Sequence, residues 1–120
     1  TILLVEDNES VRSYAAAALR SFGYQVIEAA DGPSALALFE QHEEIDLLFT
    51  DVVMPGGMNG RALVDAARQL RPSIRVLYTS GYTENAIVHH GRLDAGAQLL
   101  GKPYRRSELD RAVRGALKGE

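Results

Sequence analysis

Acidic, hydroxyl and ammonium side chains stand in this sequence at the points where aliphatic runs end. Glu6 and Asp7 follow Ile2-Leu3-Leu4-Val5, and Asp51 follows Leu47-Leu48-Phe49-Thr50. Thr79 and Ser80 close the run that begins at Ile74, and Lys102-Pro103 come just after Ala97–Leu100. If these runs are strands of one parallel sheet, their carboxyl ends share a rim, which is where such sheets bind ligands. Carboxylates gathered there repel: two unit charges about 5 Å apart at an effective dielectric of about 20 cost about 3 kcal/mol. Either one takes up a proton or a divalent cation collects them. Hard oxygen donors, few and without a dedicated cage, suit Mg²⁺ that keeps several waters and waits for a phosphate. In that arrangement Asp7 and Asp51 are direct ligands, Glu6 acts through water, and the backbone carbonyl of Val53 is a further donor. A carboxylate beside the ion can act as a nucleophile toward phosphorus. Phosphoryl transfer needs positioned charge more than covalent help. Mg²⁺, the ammonium of Lys102 and the hydroxyl of Thr79 would each hold one phosphoryl oxygen. Taken singly, each residue has an ordinary explanation: Asp7 or Asn8 as a helix cap, Lys102 as a solvated lysine before a turn. Their coincidence at corresponding strand ends favours the shared site.

The elements that must position these groups follow from the hydrophobic pattern. The runs Thr1–Val5, Tyr24–Ala29, Asp46–Thr50, Ile74–Thr79 and Ala97–Leu100 read as strands. Ile2–Val5 and Leu47–Phe49 are apolar on both faces, as in parallel strands covered on two sides. A helical stretch follows each. Val11, Ala15, Ala18, Leu19 and Phe22 share a face that Gly23 ends. Pro33 opens a second helix carrying Leu36 and Phe39 inward, and Leu63, Ala67 and Leu70 line a third. A short, weakly patterned fourth is expected between Thr83 and His90. Ser107 with Asp110 resembles a capping box for a last helix with the stripe Leu109, Val113, Ala116 and Leu117. Five such units predict an α/β fold, a doubly wound sheet with helices on both faces.

Composition narrows the rest. The chain has 120 residues, 46% hydrophobic and 24% charged, as in an ordinary globular domain, and residues 1–120 read as one domain. Thirteen basic against 16 acidic side chains leave −3, no global attraction to nucleic acid or an anionic membrane. With no cysteine, disulfides, thiolate metal sites and cysteine nucleophiles are excluded. No apolar run approaches a membrane span. The chain opens at Thr1 inside an apolar run, which reads as a piece of a longer protein. Ala16 and Ala17 are expected on the side of the first helix away from its core stripe, a small flat face that could receive a partner helix. Arg105, Arg106, Arg111 and Arg114 give the last helix a basic surface, read mainly as solvated charge. His42, His89 and His90 have no metal-ligand spacing.

The stretches Leu3–Asn8, Ala30-Asp31-Gly32, Asp46–Pro55, Thr79-Ser80-Gly81 and Gly101–Tyr104 resemble, in order and spacing, the response-regulator receiver domains of two-component signalling. The resemblance covers essentially the whole chain. It implies a flavodoxin-like five-stranded parallel sheet of order 2-1-3-4-5 with five helices. It also implies that Asp51 is the phosphoacceptor, Glu6 and Asp7 the acidic metal-binding pair, Thr79 the switch hydroxyl and Lys102 the phosphate-contacting lysine before a cis proline. The implied cofactor is Mg²⁺, and the implied partner a histidine kinase or histidine phosphotransfer domain. A weak homodimer is a further expectation, with no direct contact to nucleic acid or membrane. Such a domain catalyses only its own phosphorylation and dephosphorylation. The segment Gly81–Asp94 is similar to receivers at the C-terminal end of hybrid sensor histidine kinases, implying a cytoplasmic location, there as the cytoplasmic part of a membrane-bound sensor.

Departures from the family pattern matter as well. Pro55–Gly60 carries one more glycine than the commonest turn. Leu99 stands where an aromatic switch is usual, and Tyr78, Tyr82 and Tyr104 are read as ordinary packing. Val53 and Gly81, two residues beyond Asp51 and Thr79, have no side chain to position an attacking water, so slow to intermediate self-dephosphorylation is expected. Two rivals remain. A haloacid-dehalogenase-type Mg²⁺-dependent phosphatase needs an acid two residues after its nucleophile, where Val53 stands. A phosphorylation-independent scaffold would not need the acid, hydroxyl and ammonium set.

Overall fold

The computed structural model describes residues 1–54, 58–80 and 98–118. Within them, β1 (Ile2–Val5), α1 (Glu9–Ser21), β2 (Val26–Ala29), α2 (Gly32–Gln41) and β3 (Leu47–Asp51) follow one another, then α3 (Gly60–Leu70), β4 (Arg75–Ser80), β5 (Gln98–Gly101) and α4 (Arg106–Lys118). The strands form one parallel sheet in the order β2-β1-β3-β4-β5, as expected. The expected helix between Thr83 and His90, the glycines of the turn after Met54, Gly81 and Tyr82 lie outside the described residues.

Strand periodicity sends successive side chains to opposite faces, and each face has its own core. Leu3, Val5, Leu48, Val76 and Tyr78 pack with Ala35 and Phe39 of α2 and Leu63, Val64 and Ala67 of α3. Ile2, Leu4, Leu47, Phe49 and Leu77 pack with Ala15, Ala16, Ala18 and Leu19 of α1 and Leu109, Val113 and Ala116 of α4. Burying each of the larger aliphatic chains contributes about 1.5–3 kcal/mol.

The helix ends have local causes. Asn8, Asp31 and Asn59 cap α1, α2 and α3, each side chain accepting the N–H three residues on, at 3.0, 2.8 and 2.8 Å. Gly23, at φ 101°, ends α1 in a conformation that a side chain would strain.

Three expectations require correction. Ala16 is buried between α1 and the sheet, so only Ala17 of the pair faces outward. Leu70 is 54% exposed, and Val64 takes the inward place in α3. The last helix starts before Ser107: Glu108 reaches back to accept the backbone N–H of Arg105 at 2.8 Å, which makes Arg105 the cap. The Ser107–Asp110 pattern was displaced because Asp110 instead meets Arg114 at 2.9 Å one turn on.

Candidate functional site

The sheet delivers the chemistry-bearing residues to its carboxyl rim by register. Val5 is level with Thr50, Asp51 with Thr79, and Ser80 with Gly101. Glu6 therefore emerges beside Asp51, and Lys102 emerges one residue beyond β5. The carboxylates of Glu6, Asp7 and Asp51 each offer an oxygen within 4.8 Å of the others. Glu6 and Asp51 are almost fully buried, whereas Asp7 is exposed at the rim.

Lys102 ties the two buried acids together. Its Nζ donates to Glu6 Oε1 and to Asp51 Oδ2, both at 2.6 Å. The second Glu6 oxygen accepts the N–H of Asn8 at 3.1 Å, and Asp51 Oδ1 accepts the N–H of Val53 at 3.3 Å. Burial raises the Glu6 carboxyl above its usual value, and the neighbouring Asp7 adds to the rise, against the pull of Lys102 and the Asn8 N–H. Burial works against the Lys102 charge, but hydrogen bonds and the charges of Asp51 and Glu6 outweigh it and hold the ammonium above the ordinary lysine value. The Lys102 ammonium is thus favoured by its two partners, whereas burial works against the ionised form of Glu6.

Thr79 lies beside Asp51 with 2% exposure, and its hydroxyl meets no hydrogen-bond partner among the described residues. A buried hydroxyl left in that state costs about 1–3 kcal/mol, and an acceptor arriving next to Asp51 would recover part of it. The Val53 side chain is 48% exposed at the mouth of the site. The close approach of α3 fixes the floor: Gly60 donates its N–H to the Val52 carbonyl at 2.8 Å. A Cβ at Gly60 would lie 2.0 Å from the Asp51 carbonyl oxygen.

Leu99 is half-buried against the α2–α3 core and level with Tyr78, which is itself fully buried. Tyr104 packs between Tyr14 and Phe49, with ring centroids 6.3 and 6.4 Å away. Burial, and next the charge of Glu6, push its phenol up to about 12. On α4, Arg106 lies over the Phe22 ring, 5.1 Å from its centroid, and bonds Ser21.

The structure thus brings Glu6, Asp7, Asp51, Thr79 and Lys102 into one cluster. Sequence reasoning missed two features: Lys102 as a bridge between Glu6 and Asp51, and Arg12, whose guanidinium donates to the Glu6 carbonyl at 2.8 Å. The signal for the second was a basic residue at the end of the first helical turn after the acid pair, where side chains lean back toward the helix start.

The donor set fits Mg²⁺: oxygen ligands of three carboxylates close enough to share one small hard cation, with an ammonium already offsetting their charge.

Comparison with known proteins agrees with this geometry. Residues 2–114 match the family model of the response regulator receiver domain. The chain is 40% identical over 115 residues to the sensor kinase CckA of Brucella abortus, covering 95% of this chain but 12% of that protein. It is 32% identical to the response regulator receiver protein CpdR of the same organism, over 90% of this chain and 88% of CpdR. Among solved structures, the receiver domain of the hybrid histidine kinase CckA superposes with a TM-score of 0.80 at 38% identity, over 97% of both chains. A response regulator receiver protein from Sinorhizobium medicae superposes at 0.84 with 25% identity, over 99% and 95%. On its fold, its site and these matches, the chain belongs to the response regulator receiver domains of two-component signalling.

Proposed function

We propose that residues 1–120 act as one receiver domain in which Asp51 accepts a phosphoryl group from a phosphohistidine. The observation that carries this reading is the Asp51 environment. Asp51 is a buried residue, 3% exposed, level with a Thr79 hydroxyl that has no partner among the described residues, 2.6 Å from the Lys102 ammonium and grouped with Glu6 and Asp7. An Asp51 oxygen forms the new bond to phosphorus, the phosphorus–nitrogen bond to the imidazole breaks, and the departing imidazole takes up a proton. Mg²⁺, held by Asp7, Asp51 and the Val53 carbonyl with Glu6 through water, would supply charge against the phosphoryl oxygens. In this reading Lys102 turns from Asp51 Oδ2 onto a phosphoryl oxygen, and Thr79 donates to another. The donor is a histidine kinase or histidine phosphotransfer domain. The chain spans about an eighth of the CckA relative, so a hybrid sensor kinase around this domain is part of the proposal.

The signal is read as a population shift drawn by Thr79 toward the phosphorylated Asp51. Moving a preference from 1:99 to 99:1 takes about 5.5 kcal/mol of differential stabilisation. Charge-assisted hydrogen bonds from Lys102 and Thr79 together with a bound cation reach that scale.

Incubation with a small acyl-phosphate donor and Mg²⁺ tests the reading. Stoichiometric, acid-stable, base-labile label that disappears in Asp51→Asn is the expected result. Sustained turnover would indicate a phosphatase, and absence of label a scaffold; either would refute the acceptor role.

A further inference from the structure

Glu6 lies one residue past the end of β1. Its N–H still bonds the Ala29 carbonyl at 3.1 Å, but its own carbonyl has left the strand ladder. Arg12 supplies the missing donor, with Nη1 2.8 Å from that oxygen and the side chain 19% exposed. The peptide bond is planar, so fixing the Glu6 carbonyl fixes the plane from which Asp7 departs. Arg12 is itself anchored: its Nε lies 3.5 Å from Glu28 Oε1, and the other Glu28 oxygen meets Arg20 at 3.2 Å. Arg20 is tied in turn to the Val26 carbonyl at 3.1 Å. A line of alternating charge thus runs from the edge strand β2 to the peptide that joins the two acids, and none of its members reaches the cluster with a side-chain oxygen.

We propose that Arg12, anchored by Glu28, is a positioning residue for the acid pair. It orients the Glu6–Asp7 peptide and so sets the cation affinity of the site without touching the ion. The inference rests on the Mg²⁺ reading given above. Outer partners that aim metal ligands commonly govern about 10-fold or more in affinity. A guanidinium fork does this where an ammonium does not, because its planar geometry serves the carbonyl and the carboxylate together.

Charge and geometry make opposite predictions here. Were Arg12 only a nearby positive charge, Arg12→Gln would bind Mg²⁺ more tightly and Arg12→Lys would bind as the wild type does. As a positioning residue, both variants bind more weakly. Calorimetric titration of the metal-free protein with MgCl₂, well below the melting midpoint of every variant, gives the constants. We expect about a tenfold loss for Arg12→Lys, a loss in the same direction for Arg12→Gln, and a smaller loss for Glu28→Gln. The double variant Arg12→Lys/Glu28→Gln should be no weaker than Arg12→Lys alone, since the two act through one contact. Arg12→Lys within twofold of wild type, tighter binding by Arg12→Gln, or melting midpoints that fall while Mg²⁺ affinity stays put would each overturn the inference. Additive losses in the double variant would overturn the Glu28 anchor. Asp7→Asn separates the two readings: it should abolish Mg²⁺ binding. A wild type that binds no Mg²⁺ overturns both readings, whereas normal binding untouched at Arg12 overturns this one alone.

Discussion

Replacing Lys102 by glutamine keeps a polar side chain of similar length and removes one charge from between two acids. The ammonium stands 2.6 Å from both Glu6 and Asp51, whose side chains are only 3% and 5% exposed. Without it the two carboxylates, whose oxygens lie within 4.8 Å, face each other directly. At an effective dielectric of about 20 that repulsion is about 3 kcal/mol. Losing one member of a buried pair usually costs 3–5 kcal/mol. Lys102 retains 20% exposure, so the expected destabilisation in metal-free buffer at neutral pH is about 2–4 kcal/mol. The variant escapes the repulsion by binding a proton between the acids. Its folded state then holds more protons than the unfolded chain, so its stability rises as pH falls. In the wild type, the contribution of Lys102 is complete below the ordinary lysine value and is lost only as pH rises through the higher folded value, well above this range. Urea unfolding with a chelator at pH 7.5 and pH 5 should therefore show most of the deficit at pH 7.5 and about 1 kcal/mol at pH 5. Excess Mg²⁺ should restore much of the loss at pH 7.5 by taking the place of the ammonium. A deficit equal at both pH values and indifferent to Mg²⁺ would refute the bridge as the source of the effect.

Other perturbations probe separate parts of the site. Gly60→Ala sets a Cβ 2.0 Å from the Asp51 carbonyl oxygen, so α3 must back away; we expect about 3 kcal/mol of lost stability in urea and strongly reduced labelling of Asp51. Thr79→Val deletes a buried hydroxyl without a partner among the described residues, so its resting stability should be unchanged or up to about 1 kcal/mol higher. Its conformational response to beryllofluoride should nevertheless shrink; a full response by nuclear magnetic resonance would refute the role of the hydroxyl. Tyr104 should ionise near 12 in an ultraviolet difference titration, in a phase that Tyr104→Phe removes. Because its folded value lies above the ordinary 10.0, the stability it contributes is lost as pH climbs from there toward the folded value.

Much of this was legible in the sequence because parallel strands buried on both faces write their limits plainly. Ile2–Val5 and Leu47–Phe49 are apolar without interruption, and acids of the site stand just beyond them, Glu6 and Asp7 directly after Val5 and Asp51 one residue after Thr50. Helix faces were less legible where side chains are small: Ala15, Ala16 and Ala18 are all buried, and alanine carries no pattern to separate them from exposed Ala17. Leu70 misled because the periodicity holds to the last residue of α3, where the side chain is nevertheless exposed. The start of α4 was misplaced because Arg105 caps through its backbone while Glu108 does the reaching, so the cap residue has no distinctive side chain. The acid, hydroxyl and lysine set was readable from residue types alone. Their mutual contacts were not, since the reach of Lys102 across two strands and the return of Arg12 to the Glu6 carbonyl depend on three-dimensional register.

That register has an evolutionary consequence. Asp51 and Thr79 are level on neighbouring strands in the middle of the sheet, paired by backbone bonds that do not depend on what the side chains say. Whatever sequence joins β4 to β5 can drift, lengthen or be exchanged without moving the acceptor relative to its hydroxyl. The acceptor and its hydroxyl are thereby held as one unit by the pairing of β3 with β4.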